Sequence, residues 1–206
     1  MKKKQTILAG YSGHGFVVAE AAMLANIKID GYLEPDVVAH NYFDLKYMGF
    51  ELNPDFDWTE NYEFILGIGD NELRNRLGKL ILSKGKNVLN ITHPAASVSR
   101  MITFGNGNLI ARHASINPLV TIGNFCIVNT AAILEHECKI GNAVHIGPGA
   151  VLCGNVQIGE NTFIGANSVI KQGIKIGKNV IIGAGSVIIT DVNDNLKVVG
   201  NPGKII

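Results

Sequence analysis

Two short stretches of the chain carry residue types that could do chemistry. In Val128-Asn129-Thr130-Ala131-Ala132-Ile133-Leu134-Glu135-His136-Glu137-Cys138, one imidazole stands between two carboxylates in a region otherwise poor in acids. A positioned imidazole titrates near neutral pH and can take the proton of an attacking amine or hydroxyl, a contribution of about 10²–10⁴-fold. An isolated corner histidine is most simply a hydrated surface residue, and the flanking acids set His136 apart from that reading. The other stretch, Gly10-Tyr11-Ser12-Gly13-His14-Gly15, joins an apolar run to a segment of helical composition. Backbone N–H groups that open a helix can hold a pyrophosphate. The spacing is not that of the dinucleotide fingerprint GxGxxG, because Ser12 stands where the second glycine belongs, so a redox dinucleotide is not expected.

The elements that must position these residues change character near residue 98. Before it lie most of the aromatic residues; only Phe104, Phe125 and Phe163 follow. Apolar runs at 6–9, 29–33, 64–68 and 88–91 read as strands, and 16–25 and 72–83 read as helices, the second with Leu73, Leu77, Leu80 and Ile81 on one stripe. Strands alternating with helices argue for a small parallel sheet of Rossmann-like handedness over residues 1–91. From residue 98 the period becomes six: sixteen apolar residues, from Val98, Phe104 and Ile110 to Ile176, Ile182 and Ile188, recur without a slip. Neither a helix nor a simple strand buries such a period on one stripe, so the chain must turn at every hexad. Three hexads make one triangular coil with the aliphatics inside. The glycine that often follows the aliphatic, as at Gly123, Gly141, Gly147, Gly159, Gly165, Gly177 and Gly183, is expected to relieve a tight corner. Residues 98–187 then give about five coils, roughly 24 Å tall at the ordinary strand spacing.

Composition narrows the function classes. With 206 residues and 47% hydrophobic content the chain can bury a sizeable core. A net charge of +1 offers no clustered cations for nucleic acid or an anionic membrane surface, and Lys2 to Lys4 read as a solvated terminus. No run of about 18 apolar residues is present, so membrane insertion is not expected. Cys126, Cys138 and Cys153 form neither a CxxC pair nor an even set, which disfavours disulfides and zinc fingers and fits a reducing, cytoplasmic setting.

The hexads resemble the hexapeptide-repeat acyltransferase superfamily, and Val199-Gly200-Asn201-Pro202-Gly203-Lys204-Ile205 resembles its closing Gly-x-Pro-x-Lys segment. With Ser12-Gly13-His14-Gly15 in front, the likeness narrows to the nucleotide-linked amino-sugar N-acetyltransferases and their sialic acid O-acetyltransferase relatives. The resemblance implies a left-handed parallel β-helix, contrary to the usual right-handed crossover. It divides the chain into a Rossmann-like nucleotide-sugar-binding domain at 1–91, a β-helix acetyltransferase domain at 92–188 and a C-terminal cap at 189–206. It further implies acetyl-CoA as co-substrate, a nucleotide-linked 4-amino sugar as acceptor, and a homotrimer with active sites between subunits. In that scheme His136 is the general base and Glu137 orients it, as the triad aspartate orients its histidine. His145 contacts acetyl-CoA near the thioester, and Ala166 and Ala184 leave room for the pantetheine arm. Ser12, Gly13, His14, Glu34, Asp36, Gly69 and Asn129 are the substrate-binding residues carried over. His93 and His113 have no counterpart and read as surface residues.

Three other readings compete. A sialic acid O-acetyltransferase would run the same chemistry on a hydroxyl. A zinc-dependent hexapeptide carbonic anhydrase would need three converging histidines, and His113, His136 and His145 are not spaced by whole coils. A non-catalytic nucleotide-sugar-binding protein would keep the front turn without needing Glu137 beside His136.

Overall fold

The computed structural model describes residues 4–206; Lys2 and Lys3 of the basic run lie outside the described residues, and Lys4 pairs with Glu63. Strands β1 (Gln5–Ala9), β2 (Gly31–Leu33), β3 (Lys46–Tyr47), β4 (Tyr62–Leu66) and β5 (Asn87–Val88) form one sheet in the order β3-β2-β1-β4-β5. Every pairing is parallel. Helix α1 (Gly13–Leu24) links β1 to β2, and α2 (Asn71–Ser83) links β4 to β5. Ile7, Leu8, Phe64 and Ile65 are buried, as near-continuous apolar runs require when both sheet faces are covered. Because β2 and β4 flank β1 on opposite sides, the strand order reverses there and a crevice opens at the carboxyl ends of β1 and β4. Backbones cross tightly at that crevice. A Cβ on Gly67 would lie 2.0 Å from the Gly10 carbonyl oxygen and one on Gly15 would lie 2.4 Å from the same atom, whereas Gly13 has nothing within 4 Å. The glycines at 15 and 67 therefore serve packing, and Gly13 is the open part of the turn.

From Ile91 onward the chain winds into a solenoid. Short strands pair in parallel one winding apart, Ser115 with Ile133 and Ile133 with Val151. The first face carries Leu109–Ile110, Ile127–Val128, His145–Ile146, Phe163–Ile164 and Ile181–Ile182; the second runs from Ser97–Val98 to Val187–Ile188; the third runs from Thr103–Phe104 to Lys175–Ile176. The inward aliphatics from Ile110 to Ile188 form one continuous core. Phe104 departs from the expected pattern and is 40% exposed, because its strand ends the third face and no further coil covers it. The winding is longer than the expected five coils: the second face is six strands deep, and the first begins at Ile91–Thr92 and ends with Lys197–Val199 and Lys204–Ile205.

The repeat glycines relieve crowding as expected, but between neighbouring coils rather than at the turning residue itself. Positive φ falls three residues after the inward aliphatic whether or not a glycine stands between, at His113, Leu119, Phe125, Ala131, Glu137 and Ala143, with values of 54–65°. These left-handed residues turn the corners at a cost of roughly 1 kcal/mol each. Ladder hydrogen bonds hold them there, such as Glu137 N–H to the Pro118 carbonyl at 3.1 Å and Asn155 N–H to the His136 carbonyl at 2.8 Å. The glycines instead let successive coils touch: a Cβ on Gly147 would lie 2.6 Å from the Ile164 carbonyl oxygen, and one on Gly141 would lie 2.8 Å from the Glu160 nitrogen. Small polar residues inside the corners donate to the next coil, Thr162 Oγ1 to the Gly177 carbonyl at 2.7 Å and Ser168 Oγ to the Gly183 carbonyl at 2.9 Å. Cys126 and Cys138 occupy the same kind of position; burial pushes their thiols up to about 12 and about 11, so both stay protonated. Among the described residues no helix is long and apolar enough to cross a membrane.

Candidate functional site

His136 follows the strand Ile133–Leu134 and stands on the edge where the second face meets the third. Its side chain is 53% exposed and that of Glu137 is 56% exposed. His136 Nδ1 lies 3.0 Å from Glu137 Oε2. A carboxylate at Nδ1 holds the ring proton there and leaves the Nε2 lone pair outward, the arrangement of a proton acceptor. The ring rests on the next coil at Gly154, where a Cβ would lie 2.6 Å from both Cε1 and Nε2. Gly154 was not singled out from the sequence, although it stands one winding after His136, which is a signal that could have found it.

His145 is handled differently. It lies on the first face, 9% exposed, edge-on to Phe163 with ring centroids 5.1 Å apart. Asn129 Oδ1 accepts from the Thr130 N–H at 2.8 Å, so its amide nitrogen is the donor, and His145 Nε2 at 3.0 Å is the acceptor. The imidazole proton therefore sits on Nδ1, which is buried without a hydrogen-bond partner, as is Nε2 of His14. The His14 and His145 rings are 6.1 Å apart. Burial, reinforced by the Arg74 charge, holds His14 down at about 4. Burial, Arg74 and then His14 hold His145 at about 3. Both rings are neutral at pH 7.

Arg74 of α2 ties this junction together. It is 1% exposed and donates to the carbonyls of Phe125, Ile68, Gly69 and Ala143 and to Asn71 Oδ1. Burial lowers its own pKa to about 10. One turn on, Gly78 receives the Phe125 ring, which a Cβ would approach to 2.6 Å. Asn75 Nδ2 reaches Glu160 Oε1 and Asn161 Oδ1, both at 2.9 Å. Nothing in the sequence marked Arg74, because an arginine on a helix reads as solvated.

Two clefts border the junction. The front cleft, about 440 Å³, is lined by Gly10, Ser12, Leu33, Glu34, Pro35, Phe50, Glu51, Leu52, Gly67, Ile68, Gly69, Asp70, Leu73 and Arg76. Of the residues expected to bind substrate, Ser12, Glu34 and Gly69 are brought together in this lining. Ser12 precedes α1 without a side-chain capping bond, so the first-turn N–H groups beside Gly13 are open to an anion. Asp36 is exposed and outside this lining, and His14 turns away into the junction. Leu73, expected on the buried stripe of α2, is 38% exposed and lines the cleft. The side cleft, about 740 Å³, lies between the start of α2 and the first face, and shares Gly69 and Asp70 with the front one. Ala166 and Ala184 follow successive strands of the first face at its junction with the second, and the Gly185 N–H bonds the Ala166 carbonyl at 2.8 Å. The edge bearing His136 is therefore not the edge bearing Ala166 and Ala184. His93, expected at the surface, is buried and accepts from the Ala95 N–H through Nδ1; His113 is exposed. Among the described residues no three His, Cys, Asp or Glu side chains gather as a metal site.

Known families match both parts of the chain. The PglD N-terminal domain family matches residues 5–80, and the bacterial transferase hexapeptide (six repeats) family matches 137–172 and 155–190. The acetyltransferase domain of PglB from Neisseria gonorrhoeae, solved with acetyl coenzyme A, is 30% identical over 98% of both chains with a TM-score of 0.91. PerB from Caulobacter crescentus, solved with CoA and GDP-perosamine, is 31% identical over 98% of this chain and 97% of that one, also at 0.91. The chain belongs to the nucleotide-linked amino-sugar N-acetyltransferase family. Within the family, a perosamine N-acetyltransferase variant with one histidine replaced by asparagine, 30% identical and at a TM-score of 0.93, has also been solved with CoA and GDP-perosamine. No protein of curated function matches the chain.

Proposed function

We propose that the protein transfers the acetyl group of acetyl-CoA to the amino group of a nucleotide-linked 4-amino sugar. The observation that carries this reading is the His136–Glu137 pair on an open edge, with Nε2 unengaged. Nε2 takes a proton from the amine as its nitrogen attacks the thioester carbonyl. The C–N bond forms, the C–S bond breaks, and the CoA sulfur leaves with the proton that the imidazolium returns. Glu137 stabilises the imidazolium between these steps.

The nucleotide occupies the front cleft with its pyrophosphate at the start of α1, held by Ser12, Gly13 and Gly69, with Glu34 at the ribose and Asp36 at the outer rim. The sugar extends toward the side cleft. Acetyl-CoA runs over Ala166 and Ala184, beside His145. Since His145 is neutral and its Nε2 is taken by Asn129, the pair shapes this wall and does not carry a proton. His136 lies on a different edge from these residues, which supports a homotrimer in which the His136 of one copy completes the cleft of its neighbour. The working division is a Rossmann-like domain at 1–91, a left-handed β-helix at 92–188 and a cap at 189–206, in a cytoplasmic enzyme.

The test is CoA release by wild type and His136→Ala with nucleotide-linked 4-amino sugars and with free and activated sialic acids. Turnover confined to amino sugars and lost in the variant is expected. Acetylation of sialic acid hydroxyls alone would refute the amine reading, and full activity in His136→Ala would refute the mechanism.

A further inference from the structure

The front cleft contains an acid that the acetyl-transfer steps leave unused. Glu51 follows β3 in the chain, lines the cleft and is only 7% exposed. Among the described residues no cation or side-chain donor pairs with it. Burial pushes its carboxyl up, its own backbone N–H opposes this, and the neighbouring Glu34 adds to it. A carboxylate in such a place has its own backbone N–H as donor and no side chain or cation beside it, and a ligand that supplies further donors relieves its desolvation.

The position of Glu51 says which part of a nucleotide supplies them. The pyrophosphate belongs at the start of α1, and an acid at the end of the second strand, here Glu34, is placed for the ribose diol. Glu34 Oε1 is already engaged by the Tyr11 N–H, which fixes that carboxylate beside the glycine turn. The base then extends past the ribose toward Phe50, Glu51 and Leu52, with Pro35 and Leu33 supplying further apolar wall.

Resting on the nucleotide-sugar reading above, we infer that Glu51 reads the Watson–Crick edge of the base and selects guanine, so that the acceptor is a guanosine-diphosphate-linked amino sugar. An ionised carboxylate offers two acceptor oxygens. Guanine presents two adjacent donors on that edge, N1–H and the 2-amino group, and can satisfy both oxygens with charge-assisted bonds. Uracil and thymine present one N–H between two carbonyl oxygens, which would face the carboxylate. Adenine and cytosine present an amino group beside a ring nitrogen lone pair.

The experiment is calorimetric titration of wild type and Glu51→Gln with GDP, UDP, dTDP and inosine diphosphate, which lacks the 2-amino group, alongside CoA release with the matching amino sugars. Wild type is expected to bind GDP about tenfold or more tightly than each of the others, and Glu51→Gln to lose about tenfold for GDP and to stop distinguishing it from inosine diphosphate. Equal wild-type binding of GDP and inosine diphosphate overturns the inference, as does undiminished GDP binding in Glu51→Gln. The first comparison uses intact protein, so a folding defect in the variant does not bear on it. Turnover of UDP- or dTDP-linked sugars without guanine preference removes this inference and leaves the acetyltransferase reading standing. Wild type that binds no nucleotide and releases no CoA removes both.

Discussion

The edge that carries His136 is open to solvent, whereas the face that carries His145 is roofed by the front sheet and its helices. The side chain of His136 is 53% exposed and faces a carboxylate; His145 is 9% exposed and faces an amide and a second neutral histidine. One solenoid thus presents one imidazole beside a carboxylate in solvent and another held neutral by burial. Proximity to Arg74 makes the difference sharper, since a buried cation penalises any further positive charge nearby.

The strongest way to break this contrast is His136→Ala. Turnover is expected to fall by about 10²–10⁴-fold with the thermal midpoint unchanged, because an exposed ring contributes little to packing. On the buried side, Arg74→Met would leave four carbonyls and Asn71 Oδ1 without their donor. Urea unfolding should show a loss of about 3 kcal/mol, against about 0.5 kcal/mol for the same change at the exposed Arg76.

Acid should separate the regions again. Folded His14 and His145 titrate at about 4 and about 3, against 6.5 for the free side chain. The unfolded chain therefore binds more protons below 6.5, and stability falls as pH drops through the window from 6.5 to 3. Replacing both by asparagine should flatten the fall in thermal midpoint between pH 7 and about pH 4.5. A smaller effect is expected from Gly154→Ala, whose methyl meets His136 Nε2: about a tenfold loss of turnover with the melt little changed. Glu137→Gln keeps an acceptor for Nδ1 but removes the charge that stabilises the imidazolium, and a loss of a few-fold to about tenfold should result.

The solenoid was legible because its interior offers one environment repeated many times. Ile110 through Ile188 meet that environment, and Phe104 fails only because nothing lies beyond it. Glycine spacing was legible but its meaning was not. Sequence shows that Gly141 and Gly147 recur beside the aliphatic; only the folded chain shows that the turn is made two residues later and that the glycine admits the neighbouring coil. The His136–Glu137 pair could be read because both partners are adjacent in the chain. Arg74, Glu51 and the turning of His14 toward His145 could not, since each depends on contacts between segments far apart in sequence. Residues 34–61 have no periodic pattern and held the least information, yet they supply Phe50, Glu51 and Leu52 to the front cleft.

The return of each coil to register, Ser115 over Ser97 and Ile133 over Ser115, dictates which length changes the gene can tolerate. Deleting a single hexad between His136 and Phe163 would rotate everything after it by one face, carrying Phe163, Ala166 and Ala184 to the wrong side of the prism. Deleting a whole coil shortens the prism and leaves each remaining residue on its own face. Loss or gain of chain in this half should therefore be tolerated only in steps of one full winding, a reading frame written in the third dimension.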